Sequence, residues 1–146
     1  VYLATAAAIG WPARRLIALP LSPGMTMYKV LMTIVARVEA RRDPGRRGGL
    51  GFLLPLVALA PLAFLSPVDR TWTAIAAALA AASILLASRH AAARPARIGI
   101  AVQGWLAAIC VVDAMYLVAL DEVAFAAVAA GCFVLTRLGH RVIVGT

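Results

Sequence analysis

Ile98-Gly-Ile-Ala-Val-Gln-Gly-Trp-Leu-Ala-Ala-Ile-Cys-Val-Val-Asp-Ala-Met-Tyr-Leu-Val-Ala-Leu120 is the run whose reading decides the architecture. Its 23 residues form the longest apolar segment, and an α-helix rising about 1.5 Å per residue over that length covers the roughly 30 Å hydrocarbon core of a bilayer. Asp113 stands near the centre. A central aspartate costs about 2.5 to 3.5 kcal/mol on insertion, while the ten Leu, Ile and Val residues here return roughly 3 to 6 kcal/mol. The segment therefore crosses despite its carboxylate.

The rest of the chain reads outward from that span. On its C-terminal side Asp121 and Glu122 make a tight acidic turn, Val123 to Thr136 a shorter span, and Arg137, His140 and Arg141 a basic end. On its N-terminal side Arg89 to Arg97 is a basic loop, preceded by Thr71 to Ser88, whose eight alanines leave insertion to Ile75, Leu79, Ile84, Leu85 and Leu86. Such a helix packs through its small residues against neighbours. Beyond the connector Ser66 to Arg70, Leu50 to Leu65 contains Pro55 and Pro61 and reads as a kinked span. Ser22 to Ala36, started by Ser22 as a cap with Pro23 behind it and carrying Lys29, is a further short span. Val1 to Ile9 reads as the tail of another helix, ended by Gly10, Trp11 and Pro12.

Composition agrees. The chain is 64% hydrophobic and 14% charged, against about a quarter charged in soluble domains, and its mean hydropathy is +0.94. The net charge of +8 does not indicate nucleic acid, because the basic residues fall between apolar runs instead of gathering on a folded face. No cleavable signal peptide is legible at the start. The fold expected is all-α, a multi-span transmembrane helical bundle of about five spans, residues 1–146 forming a single membrane domain. Because the first residue is Val1, the expectation is the C-terminal part of a larger bundle whose N-terminal half is missing.

Arginine placement sets the orientation. Arg37, Arg41, Arg42, Arg46, Arg47, Arg89, Arg94, Arg97, Arg137 and Arg141 fall on one side, and Arg14, Arg15 and Arg70 on the other. The positive-inside rule puts the first set, with the loop 37–49 and the C-terminus, in the cytoplasm of a cell-membrane protein, and Trp11 and Trp72 at the outer interface.

The loop Arg37 to Gly49 carries the chemistry, with five of the 14 basic residues and two of the six acids. If the helix continues through it, Glu39 and Asp43 project from one face, one turn apart. Two such carboxylates can share a hard divalent cation, Mg²⁺ foremost, and Arg42, Arg46 and Arg47 can grip phosphate. The bland alternative is an ordinary basic loop whose arginines reach lipid headgroups. Inside the spans, Lys29 and Asp113 are the candidate catalytic groups, since an ionisable residue there is a functional candidate by default. They can form an ion pair buried between helices; otherwise Lys29 reaches the interface and Asp113 is protonated or bonds to Gln103. Cys110 and Cys132 read as packing residues, and His90 and His140 as solvated.

At this point the sequence resembles a family. Glu39-Ala-Arg-Arg-Asp43, followed by Pro-Gly-Arg-Arg-Gly, resembles the second aspartate-rich motif of the UbiA-type prenyltransferase superfamily. Arg97-Ile-Gly-Ile-Ala-Val-Gln-Gly-Trp-Leu106 is similar to the start of the final spans in EboC-like members, with weaker likeness in Arg141-Val-Ile-Val-Gly-Thr146. The resemblance covers most of residues 22–146. It implies a partial UbiA-like bundle, Mg²⁺ on Glu39 and Asp43, prenyl diphosphate held by Arg42, Arg46 and Arg47, and transfer of the prenyl group to a lipophilic acceptor. The sequence departs from the family twice: Glu39 replaces an aspartate, and the first motif, Asn-x-x-x-Asp-x-x-x-Asp, does not occur in these residues. The alternatives from other classes are a small-solute transporter or channel subunit lined by Lys29 and Asp113, and a non-catalytic membrane scaffold.

Overall fold

The computed structural model describes residues 21–41, 50–64, 67, 69–93 and 97–143. In order they form α1 (Leu21–Ala40), a proline-bearing segment made of a 3₁₀ turn (Leu50–Leu53), α2 (Leu54–Leu59) and a second 3₁₀ turn (Ala60–Phe64), then α3 (Arg70–Ala92), α4 (Ile98–Ala119) and α5 (Val123–Ile143). The described fold is an all-α bundle. Three helices, Arg70–Ala92, Ile98–Ala119 and Val123–His140, are long and apolar enough to cross a membrane, whereas Leu50–Phe64 is a shorter apolar helix.

Neighbouring runs pack antiparallel. α3 and α4 form a hairpin in which the Arg97 amide donates to the His90 carbonyl at 2.9 Å. α4 and α5 form a second, turning at Asp121 with φ 65°, a left-handed conformation that aspartate tolerates. The Glu122 amide closes that turn on the Leu117 carbonyl at 2.8 Å. α3 begins at a true cap, with the Asp69 carboxylate accepting from the amides of Thr71 (2.8 Å) and Trp72 (3.1 Å). Its far end runs past Ser88 through Arg89, His90 and Ala92, and α5 likewise runs past Thr136 to Ile143. The sequence suggested loops there. Alanine and arginine are good helix formers, and cations favour a helix C-terminus, so both helices continue until chain geometry stops them.

Side-chain size is sorted as a membrane requires. In α3 three alanines, Ala80 at 0%, Ala91 at 4% and Ala87 at 5% exposure, face the bundle, while Leu79 at 60% and Leu86 at 57% face outward with Ala74, Ala78 and Ala82. Small residues inside let backbones approach, and lipid accepts the leucines. Gly104 of α4 meets Ala87 so closely that a β-carbon on the glycine would lie 2.6 Å from that of Ala87. α1 buries Met25, Tyr28, Met32 and Val35, one helical face, against the same core.

The two prolines do more than kink. Pro55 has no amide hydrogen for the Gly51 carbonyl four residues back, and Pro61 has none for the Ala58 carbonyl three back, the 3₁₀ partner. Both carbonyls meet hydroxyl groups of other helices. Ser88 Oγ of α3 lies 2.9 Å from the Gly51 oxygen and 2.9 Å from the Ile84 oxygen, so its one hydrogen is shared between them, and the Tyr116 hydroxyl of α4 donates to Ala58. Ser88 Oγ also accepts from Trp105 Nε1 at 3.0 Å, and the Tyr28 hydroxyl donates to the Trp105 carbonyl at 3.2 Å. The expected single kinked helix is therefore two 3₁₀ turns around a short α-helix, keyed to α3 and α4 by hydroxyl groups. In a bilayer, freed backbone groups must be re-satisfied in this way.

Candidate functional site at the basic end of the bundle

Helix directions bring the arginines together. Gly24, near the start of α1, packs on Pro61, near the end of the proline segment. Gly51, at the start of that segment, packs on Trp105 and Ser88. So the C-terminal end of α1, the start of the proline segment, the C-terminal ends of α3 and α5 and the start of α4 share one end of the bundle. That end carries Arg37, Arg41, Arg89, His90, Arg97, Arg137 and His140. The opposite end carries Asp69, Arg70, Asp121 and Glu122, with Trp72 exposed beside them. The charge asymmetry read from alternate loops is a property of the fold.

α1 brings the Glu39 position to the basic end, since it lies in the last turn of that helix. The helix stops at Ala40, and Arg41 is in a turn. Asp43, Arg42, Arg46 and Arg47 lie outside the described residues. Among the described residues no group of three or more His, Cys, Asp or Glu stands ready to hold a metal ion.

Comparison with known proteins returns nothing. No family model, no curated protein and no solved structure matches the chain. What the molecule does must be argued from its own residues.

The intramembrane candidates separate in burial. Lys29 stands on the exposed side of α1 with Thr26 and Thr33, opposite the Tyr28 face, so it is not buried between helices as the ion-pair reading expected. Asp113 is half-buried in α4, near Cys110 and Tyr116. Neither is without a partner. Gln103 is not within Asp113's reach, since ten residues along one α-helix separate them by about 15 Å. Cys110 is half-buried, facing Thr136 of α5, and Cys132 is exposed; both are free thiols.

Both histidines are half-buried, where solvated rings were expected. Nδ1 of His140 is fully shielded and has no hydrogen-bond partner. Arg137, one turn earlier on α5, was read as the start of a basic tail. It lies instead inside the apolar stretch Val123–His140, and its Nη1 sits 3.9 Å from where a Gly104 β-carbon would be. The signal that would have found it is the continuing helical pattern Val134, Leu135, Leu138 around it.

Proposed function

We propose that the protein is a multi-pass cell-membrane protein whose basic end faces the cytoplasm, and that it acts there as a UbiA-like prenyltransferase. The substrates are a prenyl diphosphate and a lipophilic acceptor. The carrying observation is that α1 ends, with Glu39 in its last turn, at the one end of an apolar bundle where Arg37, Arg89, Arg97 and Arg137 of four helices also lie.

The donor set fits the cation that the resemblance implies. Glu39 and Asp43 offer hard carboxylate oxygens suited to Mg²⁺, which keeps several coordination positions for phosphate oxygens. When bound, the cation supplies charge neutralisation of a departing diphosphate. Arg42, Arg46 and Arg47 would hold the same diphosphate, and Arg37 and Arg41 add to the field that draws it in. The apolar helices lie alongside the isoprenoid chain and keep water from the allylic centre.

The test is binding of farnesyl diphosphate to the purified protein in detergent, with and without Mg²⁺. Glu39→Ala combined with Asp43→Ala should weaken Mg²⁺-dependent binding by at least about tenfold, the loss of one charge-assisted contact or more. Equal binding by the variant and the parent protein removes the proposal.

A further inference from the structure

We draw no further inference here: the strongest candidate, the outward face of α1 on which Thr26, Lys29, Thr33 and Arg37 stand in one line at helical spacing, carries nothing because no observation among the described residues shows what covers it.

Discussion

Ser88→Ala probes the device that lets two prolines sit in a membrane bundle. Ser88 is 1% exposed, and its oxygen serves the Trp105 indole at 3.0 Å and the Gly51 carbonyl at 2.9 Å. Removing it leaves the indole N–H unpaired and takes away the hydrogen that the Gly51 carbonyl shares with the Ile84 carbonyl, also 2.9 Å from Ser88 Oγ. In aqueous proteins an orphaned buried group costs about 1 to 3 kcal/mol, but hydrogen bonds between membrane helices average about 0.6 and reach about 1.7 kcal/mol. Two lost bonds therefore predict a destabilisation of roughly 1 to 3 kcal/mol, read as a shift in unfolding by denaturing detergent in mixed micelles. The diagnostic step is the double-mutant cycle with Pro55→Ala, which restores an amide hydrogen four residues after Gly51. In that background the carbonyl has a local donor, so Ser88→Ala should cost about half as much. Additive losses would refute the idea that Ser88 substitutes for the proline's missing hydrogen.

Other substitutions test neighbouring statements. Gly104→Ala forces a β-carbon to 2.6 Å from that of Ala87 and should destabilise the α3/α4 hairpin by about 1 to 3 kcal/mol; Ala87→Gly in the same chain should recover much of it in the same unfolding assay. Tyr116→Phe removes the donor to Ala58 and should cost about 1 kcal/mol, a loss relieved by Pro61→Ala if the proline argument is right. Asp69→Ala removes the α3 cap and should cost about 1 kcal/mol, visible as earlier exchange of the Thr71 and Trp72 amides. Asp113→Asn should lower prenyl turnover while leaving Mg²⁺-dependent farnesyl diphosphate binding intact; altered ion flux through reconstituted liposomes would favour the transporter reading.

Much was legible in residue order because the bilayer is an unforgiving solvent. The length of Ile98 to Leu120, the alanines of α3 and the arginines in alternate loops follow from transfer energies and insertion bias, which act on composition within one segment. Those local rules also made the errors intelligible. Arg89 and Arg137 looked like loop residues because charge normally ends a span, yet both continue their helices. The hydropathy of Leu50 to Leu65 announced a span but said nothing of its 3₁₀ turns. The pairing of Glu39 with Asp43 is a separate matter, since Asp43 lies outside the described residues.

Sequence by itself determined the all-helical class, the apolar segments and the sign of each bundle end, since each depends on the residues of one segment and their solvent. Tertiary structure decided which hydroxyl repairs which proline gap, that Lys29 faces outward, and that Arg137 lies in a seam with Gly104. Those outcomes depend on helix rotation and register, and packing between segments sets both.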